Sequence, residues 1–206
     1  VRVANAEYVL SAVSPDHFVR DGLPSIAFAG RSNVGKSSML NRLFGRRRLA
    51  RISSTPGRTQ AVNYFLVDRR LYFVDLPGYG YARAAKRDRR RWSNVIEAFL
   101  RTSVPRPLVV LLVDGKIGGT QLDRHAWDYV RGLGLASLVV ATKIDKVSRG
   151  RRVRALDKIR VTLGAKDDES VLAVSALTGE GMAQIWHAVA AFLDPDSSPL
   201  KPTETP

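Results

Sequence analysis

Eight residues limit what this chain can fold into more than any other feature: Gly30-Arg31-Ser32-Asn33-Val34-Gly35-Lys36-Ser37. They follow a short apolar segment, Ser25 to Ala29, and precede apolar positions at helical spacing, Met39, Leu40, Leu43 and Phe44. The context predicts a strand, a glycine loop and a helix. Glycines let backbone N–H groups wrap a phosphate at the positive end of a helix, which is how a phosphate-binding loop works. In such a loop Lys36 reaches the β- and γ-phosphate oxygens of a nucleotide, and the Ser37 hydroxyl ligates magnesium.

The rest of the chain repeats the alternation. Ala61 to Val67 and Leu71 to Val74 read as two strands joined by a polar turn, Asp68-Arg69-Arg70. Trp92, Val95, Ile96, Phe99 and Leu100 mark one helix face, and the unbroken apolar run Leu108 to Val113 suits a strand buried on both sides. A helix at Gln121 to Leu133, a strand at Ser137 to Ala141, a helix at Arg151 to Leu163 and a strand at Val171 to Val174 follow. Met182, Ile185, Trp186, Val189, Phe192 and Leu193 trace a last helix. Strands alternating with helices predict a three-layer α/β domain whose ligands sit at the carboxyl ends of the strands. With 206 residues the chain suits one core, placed at residues 24–193. Residues 1–23 are expected to be an N-terminal extension and the proline-bearing 194–206 a disordered tail.

Three further segments fall at predicted strand ends. Asp75-Leu76-Pro77-Gly78 closes the hairpin, where a carboxylate can hold magnesium and a glycine N–H can meet a γ-phosphate. At Thr142-Lys143-Ile144-Asp145, the Asp145 carboxylate can accept from both guanine N1–H and the 2-amino group while the Lys143 stem covers the ring. Adenine offers neither donor. Val174-Ser175-Ala176 can set a backbone N–H on guanine O6. Each segment taken singly could be an ordinary turn; their order along the chain is what points to GTP and GDP.

Composition narrows the setting. The absence of cysteine excludes a disulfide framework and thiolate metal sites, and fits a reducing compartment. No apolar run reaches the length of a membrane span, and Val1 to Tyr8 lacks the pattern of a signal peptide. A cytoplasmic monomer is therefore expected. Net charge is +14 with a pI near 10.7, which favours polyanionic partners, although an arginine-rich genome would produce the same bias without function.

Gly30 to Ser37, Pro56-Gly57-Arg58-Thr59-Gln60, Asp75 to Gly80 and Thr142 to Asp145 together resemble the EngB/YihA/YsxC family of Era-like bacterial GTPases, from about Tyr8 to Leu193. The resemblance implies a Ras-like G domain of the P-loop NTPase class, with a mostly parallel six-stranded sheet containing one antiparallel strand. It also implies a role in assembly of the large ribosomal subunit and a link to cell division and septation. By the same resemblance, Thr59 ligates magnesium when GTP is bound. Gly57, Arg58, Thr59, Gln60 and Ala61 form the switch loop; Lys36, Thr59 and Gly78 serve hydrolysis. Ser37, Thr59 and Asp75 are the magnesium set.

Tyr79 stands where Ras-like GTPases carry the glutamine that orients the attacking water. Slow intrinsic turnover is expected, completed by an ion or a partner. Asn33 occupies the position where related Era-like GTPases hold potassium; alternatively it only braces the loop. His17, His125 and His187 lie outside every motif. The cluster Arg83, Lys86, Arg87, Arg89, Arg90 and Arg91 follows Gly78 closely, so a contact to rRNA there would respond to the nucleotide. Two other classes compete: a nucleotide-gated rRNA-binding module with little hydrolysis, and a metabolic phosphate-loop kinase, against which Thr142 to Asp145 argues.

Overall fold

The computed structural model describes residues 3–46, 48–50, 61–79, 86–165 and 171–194, with backbone alone at 86–93. Seven strands are described: β1 (Ala6–Ala12), β2 (Ser25–Gly30), β3 (Val62–Val67), β4 (Leu71–Asp75), β5 (Leu108–Asp114), β6 (Ser137–Thr142) and β7 (Val171–Ala173). Five α-helices join them: α1 (Lys36–Leu43), α2 (Lys86–Thr102), α3 (Gln121–Gly132), α4 (Arg149–Leu163) and α5 (Met182–Leu193). The sheet order is β1-β3-β4-β2-β5-β6-β7. β4, β2, β5, β6 and β7 run parallel, and β3 opposes both its neighbours.

β5 shows how the sequence builds the layers. All seven of its residues are buried, because helices cover both faces of the sheet. Side chains alternate across a strand, so Leu108, Val110 and Leu112 meet α1 and α5 through Met39, Leu40, Ile185 and Trp186. Val109 joins Val95 and Phe99 of α2, while Leu111 and Val113 join Trp127 of α3 and Ile159 of α4. Thus α1 and α5 cover one face; α2, α3 and α4 cover the other.

The expected six strands are present, and β1 adds a seventh at the sheet edge inside the segment read as an extension. It pairs antiparallel with β3, with a bulge between Tyr8 and Leu10. The β3–β4 turn secures it: the Asp68 carboxylate accepts from the N–H groups of Ala4 and Asn5 at 2.9 and 2.7 Å. Asp68 and Arg69 both have positive φ, 49° and 55°, in a turn closed by Arg70 N donating to the Val67 carbonyl at 3.0 Å, with three residues between the paired Val67 and Leu71. The predicted tail beyond residue 194, the switch residues Gly57, Arg58, Thr59 and Gln60, and Arg83 lie outside the described residues.

Candidate nucleotide site

β2 ends at Gly30 and α1 begins at Lys36, so the loop between them opens at the carboxyl edge of the sheet. Two of its glycines are dictated by the backbone. A Cβ on Gly30 would come within 2.9 Å of Val34 Cγ1 and 3.0 Å of the Leu112 carbonyl oxygen. Gly35 caps α1 with φ 103°, a conformation that disfavours any side chain. Asn33 also takes positive φ, 66°, which asparagine tolerates better than most residues.

The segment after β4 is bonded to this loop. Tyr79 N donates to the Gly30 carbonyl at 3.2 Å, and Ser32 N donates to the Tyr79 carbonyl at 3.1 Å. Gly78 lies so close that a Cβ there would sit 3.1 Å from Ser32 N. Lys36 Nζ and the buried Asp75 carboxylate form an ion pair at the bottom of the loop. Asp75 thus meets Lys36, Gly78 meets Ser32, and Tyr79 pairs with Gly30 to Ser32.

Asn41 was not foreseen. Its buried side-chain amide exchanges two 2.8 Å hydrogen bonds with the backbone of Ala50. The chain is thereby pinned to α1 at the last residue before the segment carrying Gly57 to Gln60, and Ala61 is buried where the chain re-enters. The only sequence signal was a polar residue on an otherwise apolar helix face.

The second half of the site is a cavity of about 260 Å³ lined by Gly35, Ser38, Met39, Thr142, Lys143, Asp145, Lys146, Val174, Ala176 and Leu177. Lys143 has φ 55°, which turns the chain sharply at the end of β6. Its ammonium donates to the Asn33 carbonyl at 2.7 Å and to Asp114 Oδ2 at 2.6 Å. Thr142 Oγ1 donates to the Val34 carbonyl at 2.6 Å. Both bonds tie β6 to the phosphate loop. Ile144 is fully buried and its N–H donates to the Val174 carbonyl, which joins the two halves of the cavity wall.

Two further partners escaped the sequence. Ser175, expected to contribute through its backbone, donates its hydroxyl to Asp145 Oδ1 at 2.6 Å and so aims that carboxylate. Asp114 holds the Lys143 ammonium and accepts from Lys116 N and Ile117 N at 2.9 and 3.2 Å. A signal for it existed. Asp114 ends the most buried strand of the sheet and precedes Gly115, where a Cβ would meet the Thr142 carbonyl at 2.7 Å.

Tyr79 does more than pack. It lies against the α3–α4 cluster and donates to Asp123 Oδ1 at 2.8 Å. Burial first, then the neighbouring Asp123 charge and hydrogen bond, push its phenol pKa far above the ordinary value near 10. Asp123 is buried and completes a capping box at the start of α3, accepting from Thr120 N and Oγ1.

With this geometry in view, the comparisons with known proteins are specific. A family model described as 50S ribosome-binding GTPase matches residues 25–143. The chain is 38% identical over 200 residues to the probable GTP-binding protein EngB of Alkaliphilus oremlandii, covering 97% of this chain and 96% of that protein. It is 42% identical over 193 residues to the protein of the same name from Pelotomaculum thermopropionicum, covering 94% and 98%. The crystal structure of a probable GTP-binding protein EngB superposes with a TM-score of 0.70 at 24% identity, over 83% of this chain and 99% of that one. Era in complex with MgGDPNP and nucleotides 1506–1542 of 16S ribosomal RNA superposes with a TM-score of 0.62 at 22% identity, over 89% and 61%. The two structural likenesses establish the fold.

Proposed function

Since the chain belongs to the EngB family of GTP-binding proteins, we propose that this GTPase uses its nucleotide to set its hold on the large ribosomal subunit during assembly. Through that role it supports normal cell division and septation, from the cytoplasm. GTP and GDP are its nucleotides, and it hydrolyses one to the other and phosphate. Among the described residues no helix is long and apolar enough to cross a membrane.

The observation that carries the residue assignment is the meeting of three segments at one sheet edge: Gly30–Ser37 after β2, Asp75–Gly78 after β4 and Thr142–Asp145 after β6. Backbone N–H groups of the loop hold the β-phosphate, with Lys36 reaching the β and γ oxygens. Asp145, aimed by Ser175, accepts from guanine, while the Lys143 stem, fixed by Asn33 and Asp114, lies along the base. Ser37, Thr59 and Asp75 would supply hard oxygen donors that suit magnesium, and the Lys36–Asp75 ion pair supports the fit by setting that carboxylate beside the lysine that reaches the phosphates. What magnesium provides when bound is neutralisation of charge on the phosphate oxygens. Gly78, packed on Ser32, would give its N–H to the γ-phosphate.

Hydrolysis at this site relies on such charge stabilisation, because Tyr79 stands where a water-orienting glutamine would and its hydroxyl donates to Asp123. Intrinsic turnover is therefore slow. The exposed Asn33 side chain has no hydrogen-bond partner among the described residues, which supports a potassium ion standing in for a catalytic arginine. Its carbonyl accepts from the Lys143 ammonium, which supports the alternative that Asn33 only braces the loop. Equal turnover in matched potassium and sodium buffers would remove the potassium role.

Support for the ribosomal role is the net charge of +14, the description of the matched family model and the run Lys86 to Arg91 at the start of α2. Cations at the amino end of a helix oppose its dipole, at about 0.3–1 kcal/mol each, so helix stability does not account for them. RNA phosphates do. The test is capture of large ribosomal subunits by protein loaded with GTP or GDP, alone and with Arg89, Arg90 and Arg91 changed to Glu. Capture with GTP, loss with GDP and weakening in the variant are expected; equal capture in both nucleotide states would sink the switch.

A further inference from the structure

A second basic surface stands apart from the run on α2. Along α4, Arg151, Arg154 and Lys158 are exposed at spacings of three and four residues, so they form one outward stripe. The inward residues of the same helix, Ile159 and Leu163, are fully buried against β5 and β6. None of the three stripe residues has an ion-pair partner among the described residues. Of the other cations of the helix, Arg152 pairs with Glu180 at 2.6 Å and Arg160 lies 4.0 Å from Asp157, while Arg149 at the first position is exposed.

The stripe continues off the helix. The Lys158 stem lies against Gly118, in the loop that also presents exposed Lys116 and Ile117. Before the stripe begins, Arg149 and Lys146 are also exposed, and Lys146 lines the base cavity. Val153 and Val161 also face outward, 70% and 72% exposed, so apolar contact area lies beside the charges.

Local stability does not explain the arrangement. The first turn of α4 holds no acidic residue and begins with Arg149, Arg151 and Arg152, all disfavoured by the helix dipole. Neighbouring α3 shows the opposite pattern, with an acidic capping box and its Arg124 paired to Asp128. The topology then relates α4 to α2. Both helices follow parallel strands and pack on the same sheet face, so both start at the carboxyl edge and flank α3.

We propose that the outward face of α4 binds phosphate groups of ribosomal RNA through Arg151, Arg154 and Lys158 in either nucleotide state, as a second contact beside α2; this rests on the ribosomal reading above. The two surfaces differ in what precedes them. The α2 run comes next in the chain after the Asp75–Gly78 segment, whereas α4 follows the braced segment of β6, Lys143 and Ile144, so its hold is independent of the γ-phosphate.

The experiment changes Arg151, Arg154 and Lys158 together to Glu, and in a second protein to Gln. A control changes Arg20, Arg69 and Arg70 to Glu; these are exposed at the opposite edge of the sheet. Binding to large ribosomal subunits is measured over a salt series with GTP and with GDP, alongside particle-free GTP hydrolysis. The α4 variants should lose at least about tenfold in affinity, by the same factor with either nucleotide. Their plots of log affinity against log salt should be shallower by about two to three. Hydrolysis should be unchanged, and the control should bind within about threefold of wild type. Wild-type binding by the α4 variants, or equal loss in the control, would overturn the proposal. A wild-type protein that ignores large subunits would instead overturn the ribosomal reading. The same variants on a random-sequence RNA duplex would then decide the α4 surface alone.

Discussion

The base half and the phosphate half of the site are built on different principles. Around the base cavity each key side chain is held by another part of the protein: Lys143 by Asn33 and Asp114, Asp145 by Ser175, and Thr142 by Val34 and Val113. On the phosphate side, among the described residues, the charged groups of Lys36 and Asp75 hold only each other. A frame that is satisfied internally is preorganised and costs little to use. A pair that must exchange partners for a phosphate and a metal can report which nucleotide is present. Under the proposed assignment, this contrast would let one pocket keep a constant grip on guanine while changing its response to the γ-phosphate.

Lys36→Ala breaks the phosphate half at its centre and carries the largest expected effect. Charge-assisted hydrogen bonds contribute about 1.5–3 kcal/mol each, so losing two lowers nucleotide affinity by about 10²–10⁴-fold. The domain should still fold, at some cost, because Asp75 is left buried without its partner. Calorimetric titration with GTP reads the first effect and thermal melting the second. Retained GTP affinity would show that the loop grips phosphate through its backbone alone.

Asp145→Asn tests the base half with a comparable loss, about 10²-fold or more for GTP. Xanthosine triphosphate should recover affinity, because its base presents the complementary acceptor. Unchanged GTP binding would remove Asp145 from base recognition. Ser175→Ala is the milder form of the same test. The carboxylate keeps its charge but loses the donor that aims it, so GTP affinity should fall by about tenfold with guanine preference intact. No change would mean that the loop 174–178 aims Asp145 without the Ser175 hydroxyl.

Sequence legibility follows the same division. The run Leu108 to Val113 suited a doubly covered strand, and the phosphate loop was readable because its glycines and its flanking strand and helix are local. The partners that preorganise the base half were hidden. Ser175 and Asp145 are 30 residues apart, as are Asp114 and Lys143 by 29, and no periodicity relates them. β1 was missed for another reason: its bulge between Tyr8 and Leu10 breaks the alternation, and Tyr8 and Val9 both remain exposed. An edge strand with so little buried surface has almost no hydrophobic signature. Its pairing rests on backbone hydrogen bonds and on Asp68, which lies at the far end of the hairpin.

Tyr79→Phe carries the smallest expected effect and probes where the two halves meet the helix layer. The backbone of Tyr79 is bonded to Gly30 and Ser32, and neither bond depends on the hydroxyl. Asp123 keeps both Thr120 donors when the phenol is gone, so no buried carboxylate is left bare. Removing one hydrogen bond to a charged acceptor should therefore cost about 1–2 kcal/mol of stability, with GTP affinity and kcat within about twofold of wild type. The pH dependence gives a second readout. Because the phenol pKa is raised above its ordinary value near 10, the folded protein keeps a proton that the unfolded chain releases at higher pH. That contribution to stability is complete below about pH 10 and declines as pH rises above it. Tyr72, pushed up to about 12 by burial and Asp21, adds to the same decline, so the variant should show a shallower alkaline loss. Denaturant titrations between neutral pH and the alkaline range measure it. A kcat reduced more than tenfold with unchanged stability would contradict the anchoring role and assign the Tyr79 hydroxyl to the chemistry of hydrolysis.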